Sequence, residues 1–176
     1  MELKFDNYFL RTPEKSDIDS IVKYADNFNI SKLLRDRFPY PYTRSDAISW
    51  LDYLANESSE IALAISNSTE LIGVIGAIPG NDVNRFTAEI GYWLGEPFWN
   101  KGITTKAVKT FCNYLFTEYQ FNHLTASIFE GNTGSVKVIT KAGFNLEGVL
   151  RKNVFKDNRF LDQYIYGLLK EDFNNG

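Results

Sequence analysis

The stretch Pro97 to Ala107, PFWNKGITTKA, carries residue types and spacing suited to holding an anion. It follows a strand-like run, Phe86 to Leu94 (FTAEIGYWL), and opens a long amphipathic segment. The first N–H groups of a helix have no internal partner, and the helix dipole favours negative charge beside them. Gly102 lets the backbone close on a phosphate with no side chain in the way. A phosphorylated ligand is therefore expected here. Neither the GxxxxGK[ST] spacing of a nucleoside-triphosphate loop nor a dinucleotide GxGxxG is present. One cysteine and one histidine exclude a Cys/His zinc site by count, exclude an intramolecular disulfide, and leave His123 as the sole imidazole for any triad. His123 has no recognisable partner and reads as structural. Cys112 falls on the apolar face of its helix and reads as core.

Other elements must position that loop. Residues 8–12 (YFLRT) read as a short strand, ended by Pro13, and a helix begins at Ser16-Asp17 and runs to about Asn27. Pro39 and Pro41 forbid a continuous helix over 30–44. Thr43 or Ser45 caps the next helix, with Ala47, Ile48, Leu51 and Leu54 at helical spacing. Two apolar runs, 60–66 and 71–78, flank the turn at Asn67, and the third strand of the meander is 86–94. Along it Phe86, Ala88, Ile90, Tyr92 and Leu94 face one side; Thr87, Glu89, Gly91 and Trp93 face the other. The helix after the loop carries Ile103, Ala107, Phe111 and Leu115 at four-residue steps. A strand near 123–129, a helix over 133–142 stopped by Gly143, and a hairpin of 144–155 with 160–170 complete the chain. The order β-α-α-β-β-β-α-β-α-β-β predicts an α/β (α+β) mixed sheet flanked by helices, and residues 1–176 are expected to form one domain.

Composition narrows the function classes. The chain has 176 residues, 44% hydrophobic and 15% aromatic, enough for a developed core. A net charge of −3 argues against non-specific nucleic-acid binding. The N-terminus lacks an apolar signal core and no apolar run approaches membrane length, so the expected location is cytoplasmic, with no membrane partner. The sequons Asn56-Glu57-Ser58 and Asn67-Ser68-Thr69 are then chance matches.

Four strings together resemble the GNAT N-acetyltransferase superfamily, in its RimJ/RimL-like branch: AEIGYWL (88–94), WNKGITTKA (99–107), the Asn132-x-x-Ser135 turn and KAGFNLEGVLR (141–151). The segment RDRFPYPYT (35–43) followed by a helix adds to them, and the element order agrees over nearly the whole chain. At the family's Gln/Arg-x-x-Gly-x-Gly/Ala loop this chain reads Trp99-Asn100-Lys101-Gly102-Ile103-Thr104, with Trp99 and Thr104 as departures.

The resemblance implies a mostly antiparallel sheet splayed between two parallel strands, 86–94 and 123–129. It implies acetyl transfer from acetyl-CoA to a primary amine by direct attack in a ternary complex, without a metal. The acceptor would be a protein N-terminus or a small amine, and the chain a monomer or homodimer. Backbone N–H groups of residues 99–104 would take the pyrophosphate, and Trp93 and Leu94 would pair by backbone with the pantetheine arm. Asn132 and Ser135 match the second cofactor motif. Lys101, Lys106, Lys109, Lys137 and Lys141 give a local basic bias suited to the phosphates.

Glu89 is the family-like base; partial burial would raise its pKa and let it take a proton through water. Its alternative is a structural hydrogen bond to a neighbouring strand. Glu147 reads as structural. The family's tyrosine acid is replaced by Ile139, which leaves Ser135 as the group for the leaving thiolate, with helix capping as its structural alternative. Tyr164 and Tyr166 are further options. Arg35, Asp36 and Tyr42 would touch the acceptor, while Phe38, Tyr40, Tyr42 and Trp50 also read as a core aromatic cluster. The missing tyrosine, Trp99 and Thr104 keep a second class open: a non-catalytic acyl-CoA-binding module.

Overall fold

A computed structural model describes residues 1–56 and 59–175. The chain starts with a hairpin, β1 (Glu2–Phe5) and β2 (Tyr8–Arg11), turning at Asp6 with a left-handed φ of 47° that aspartate tolerates. The sequence reading had missed β1. A 3-10 turn leads into α1 (Ile18–Ala25), and a short α2 (Phe28–Ser31) is capped by Asn27, whose side chain accepts from Asn29 N–H. Residues 32–43 are irregular, as the prolines require. Thr43 precedes α3 (Arg44–Asn56): its N–H and hydroxyl donate to the Asp46 carboxylate, and Asp46 N–H reaches back to Thr43 Oγ1.

The meander is β3 (Ile61–Ser66), β4 (Leu71–Pro79) and β5 (Thr87–Leu94). Asn67 shapes the β3–β4 turn, its amide oxygen accepting from Thr69 and Glu70 N–H groups. Glu57 and Ser58 of the other sequon lie outside the described residues. Then follow α4 (Ile103–Glu118), β6 (His123–Phe129), α5 (Thr133–Lys141), β7 (Asn145–Lys156), β8 (Arg159–Leu169) and a terminal α6 (Lys170–Asn175) that the sequence reading did not anticipate. The eight strands among the described residues form one sheet, in the order β1-β2-β3-β4-β5-β6-β8-β7. Every pair is antiparallel except β5 and β6.

Helices cover both faces. On one, α4 buries Ile103, Ala107, Val108, Phe111, Cys112 and Leu115 against the strands, with Ile139 of α5 beside them. On the other, Ile18, Ile21 and Ala25 of α1 and Ala47 and Leu51 of α3 pack on Ala64, Leu71 and Val74. No helix among the described residues is long and apolar enough to cross a membrane.

Candidate active site

The sheet is open where β5 and β6 part. They are paired only over Thr87–Glu89 with His123–Thr125, although β5 runs on to Leu94 and β6 to Phe129. Three hydrogen bonds fix which backbone groups face that gap. Gly95 N–H donates to Ile72 O and Gly80 N–H to Thr87 O, on the β4 side; Asn122 N–H donates to Phe86 O, on the β6 side. Backbone direction alternates along a strand. Thr87, Glu89, Gly91 and Trp93 therefore turn their backbone groups towards β4, while Ile90, Tyr92 and Leu94 turn theirs into the gap. The expectation that Trp93 pairs by backbone with the cofactor arm is corrected: the available groups belong to Tyr92 and Leu94. Leu94 O also accepts from Trp99 Nε1 at 2.7 Å, which leaves its N–H as the open group.

The loop from β5 to α4 closes the gap at one end. Asn100 (φ 60°) and Gly102 (φ 76°) are both left-handed, which turns the chain sharply into the first turn of α4. A Cβ built on Gly102 meets nothing within 4 Å, so the approach to the helix N-terminus is open. Trp99, a departure from the family pattern, has a structural use here, since its indole anchors the loop to the end of β5.

A cavity of about 1120 Å³ begins at this helix end and passes through the gap. Trp99, Asn100, Gly102, Ile103 and Thr104 line its first part, with Asn132 and Ser135 across the gap. Lys101 lies outside, with its ammonium over the Phe98 ring. Of the other four lysines only Lys137 and Lys141 line the cavity; Lys106 is tied to Asp6.

At α5 the cap is Asn132, not Ser135: the Asn132 side-chain oxygen accepts from Ser135 N–H at 3.1 Å. The Ser135 hydroxyl is thereby released from capping, and its Oγ lies 2.8 Å from the Tyr92 hydroxyl. Burial pushes the Tyr92 phenol well above its usual range, against a smaller downward pull from Ser135. Sequence reasoning had placed Tyr92 only on the core face; strand alternation could not show that it meets the helix across the gap. Tyr164 and Tyr166 lie outside the cavity. Cys112 is in the core, its thiol pushed up to about 12 by burial, so it offers no nucleophile.

Beyond β5 the cavity widens onto the face covered by α1 and α3. Glu89 is half-buried there and accepts from Arg35 at 2.5 Å. Its structural alternative, a bond to a neighbouring strand, is replaced by this loop contact. Arg35, Tyr42 and Trp93 line this part, while Asp36 does not; it faces the far hairpin and accepts from Lys156 Nζ at 2.7 Å. Tyr42 N–H donates to Asp26 at 2.9 Å and Arg37 pairs with Glu60 at 3.0 Å, so the irregular loop is pinned to α1, β5, β7 and the approach to β3. Phe38 packs between Tyr42 and Trp93, tilted against the first and edge-on to the second, with centroids at 5.0 and 5.9 Å. Tyr40 leaves this cluster: it is exposed and meets Phe28 instead. His123 has a partner after all, Glu147 at 3.0 Å, which gives both a structural contact.

A sequence model of the acetyltransferase (GNAT) domain matches residues 7–145. The chain belongs to the GNAT acetyltransferase family. It is 29% identical over 170 residues to N-acetyltransferase p20 of Bacillus licheniformis, covering 93% of each chain. A microcin self-immunity acetyltransferase solved with acetyl-CoA and AMP superposes with a TM-score of 0.82 at 26% identity, over 94% of this chain and 93% of that one. RimL, a ribosomal-protein α-N-acetyltransferase solved with coenzyme A, superposes with a TM-score of 0.86 at 18% identity, over 96% and 98%, which shows the shared fold. This GNAT chain is an acetyltransferase.

Proposed function

We propose that this protein transfers an acetyl group from acetyl-CoA to a primary amine by direct attack, with both reactants held in the one cavity. The observation that carries the reading is continuity: the same cavity runs from the N-terminus of α4, through the gap in the sheet, to Glu89. Two reactants entering from its two ends meet at the gap, and holding them there supplies much of the rate. The residues fit the cofactor. The N-terminal N–H groups of α4 and the empty space at Gly102 suit a pyrophosphate, and the exposed backbone of Tyr92 and Leu94 suits an amide-bearing arm. Acetyl-CoA supplies the activated acyl group and a thiolate leaving group.

The chain's own residues have three tasks. Glu89 takes the proton from the acceptor amine, directly or through water. Ser135 offers a hydroxyl hydrogen to the departing sulfur. The α4 N-terminus holds the phosphates. With Cys112 buried and His123 engaged by Glu147, no covalent intermediate is required. Arg35 and Tyr42 contact the acceptor, which is a protein N-terminus or a small amine.

Thiol release from acetyl-CoA, measured against a panel of amines beside calorimetric binding of coenzyme A, tests the reading. Amine-dependent thiol release is expected. Coenzyme A binding without transfer to any amine would overturn it.

A further inference from the structure

The acceptor end of the cavity has a shape that the strand register dictates. Gly91 of β5 lies directly opposite Gly76 of β4, and Gly76 directly opposite Ala62 of β3. Cross-strand partners share a face of the sheet. The three smallest side chains of this region therefore line up across three strands, on the face that carries Glu89 and Trp93. The row on one side is Trp93, Val74 and Ala64, so that wall is high over β5 and β4 and falls away at β3; the row on the other begins with Glu89 and Ile78. A stripe of small residues between larger rows is a trench. It spans two inter-strand spacings, roughly 10 Å. It opens at Gly91, on the strand that borders the gap, and all three floor residues line the cavity.

A second observation points to a ligand. Tyr42 lines the cavity, is only 7% exposed, and its hydroxyl has no hydrogen-bond partner among the described residues. Burial, with Asp46 nearby, pushes this phenol up to about 12, so it stays a neutral donor. The hydroxyl is not itself enclosed, since Ser66 Oγ is the fully buried side-chain oxygen without a partner among the described residues; it opens to the cavity, where a bound group can accept from it. Two rim carboxylates are already matched, Glu89 by Arg35 and Glu60 by Arg37, while Asp46 is hydrogen-bonded by the neutral Thr43 cap. At Glu89 and Glu60 a polycation would have to displace arginines, which leaves Asp46 as its one rim carboxylate without an ion pair among the described residues, whereas apolar groups find Phe38, Trp50, Trp93 and Val74.

We propose that this trench binds the arm of the acceptor: a primary amine whose adjoining body is uncharged and mainly apolar over roughly its first 10 Å, with one hydrogen-bonding group where it passes Tyr42. The amine sits at the Gly91 end, beside Glu89. This rests on the acetyl-transfer reading above. The same chemistry is offered by a small apolar amine and by a peptide with an apolar N-terminus.

The test is acetyl transfer to unbranched primary alkylamines of increasing length, with spermine as the charged counterpart and methionyl-leucyl-phenylalanine amide as the peptide. Burial of each added methylene is expected to raise kcat/KM about fourfold until the trench is full, and spermine is expected to gain nothing from its length. A better rate for the peptide than for any alkylamine would assign the arm to a polypeptide; the reverse would assign it to a small molecule. Gly91→Val plugs the entrance where a Cβ meets nothing within 4 Å, so the melting temperature and coenzyme A affinity are expected to hold. Transfer to long alkylamines should fall at least tenfold. Ala62→Leu, at the far end, should move the levelling-off to shorter chains and spare the shortest. Transfer without length dependence, preference for spermine, or an indifferent Gly91→Val would overturn the trench while leaving acetyl transfer standing. Transfer to no amine at all by a chain that binds coenzyme A would overturn the acetyl-transfer reading, and the trench with it.

Discussion

The two halves of the cavity are built on different plans. The half we propose for the cofactor, as against the acceptor, is largely local in sequence: the end of β5, the loop and the first turn of α4 occupy residues 92–104, with further lining from β6 and α5. Its chemistry is mostly backbone, in unpaired N–H groups and a strand edge left open. The acceptor half is assembled from β3, β4, β5, α3 and the irregular loop 32–43, and its chemistry is mostly side chain. A backbone site is insensitive to most substitutions at its own positions. A side-chain site can be rebuilt by a few changes. One framework can thus keep its acyl donor while its acceptor varies.

The largest effect should come from the backbone half. Gly102→Asp adds a carboxylate where the phosphates would lie, and like-charge juxtaposition costs several kcal/mol. Affinity for coenzyme A should fall about 10²-fold or more. The fold should survive, because the Cβ has open space and aspartate tolerates a left-handed φ. Calorimetry on a mutant of unchanged melting temperature checks this. Unchanged affinity would break the comparison at its first step.

Glu89 is where the two halves meet, and it should rank next. Glu89→Gln keeps the shape and an oxygen for Arg35 while removing the proposed base. At neutral pH an acceptor amine is mostly protonated, so turnover should drop about 10²-fold. As pH rises towards the pKa of the amine, the free base becomes abundant and the deficit should shrink. Coenzyme A affinity should not move. A mutant whose pH–rate profile parallels the parent would remove Glu89 from proton transfer and leave positioning as the main source of rate.

What was legible in the sequence follows the same division. The loop, its glycine, the Asn132 turn and the alternation of β5 are short-range patterns, and each appears in the structure where the residue string places it. The pairing of Arg35 with Glu89 and of Asp36 with Lys156 depends on how an irregular segment folds back over the sheet. No periodicity encodes that. Trp93 was placed at the cofactor edge by the family resemblance; strand alternation gives side-chain faces, and backbone direction needed the hydrogen bonds of Gly95 and Gly80 to fix its phase. Tyr92 was assigned to the core for a related reason: the splayed strands bring α5 against it, and that meeting spans 43 positions of sequence. The β1 strand was missed because four residues beside a turn give too few alternations to count.

The smallest predicted effect is also the one that most sharply tests how the halves cooperate. Ser135 and Tyr92 form a partly buried hydroxyl pair, with Oγ and phenol oxygen 2.8 Å apart. Because the Asn132 side chain already takes the Ser135 N–H, the serine hydroxyl is spare. Burial keeps the Tyr92 phenol protonated, so it can donate to Ser135 Oγ, and under the proposed mechanism the serine hydrogen is then free for the departing sulfur. Ser135→Ala should lower kcat about tenfold with little change in coenzyme A affinity, the scale of one charge-assisted hydrogen bond. Tyr92→Phe should lower it by a few-fold, because the serine stays but loses its orientation. In the double mutant the tyrosine change should add nothing, since the group it orients is gone. Additive losses would mean that Tyr92 acts on its own. A fall in kcat for Ser135→Ala alone, with Tyr92→Phe silent, would leave Ser135 acting unaided. Equal falls in melting temperature, cofactor affinity and kcat for both would reduce the pair to a structural contact between β5 and α5.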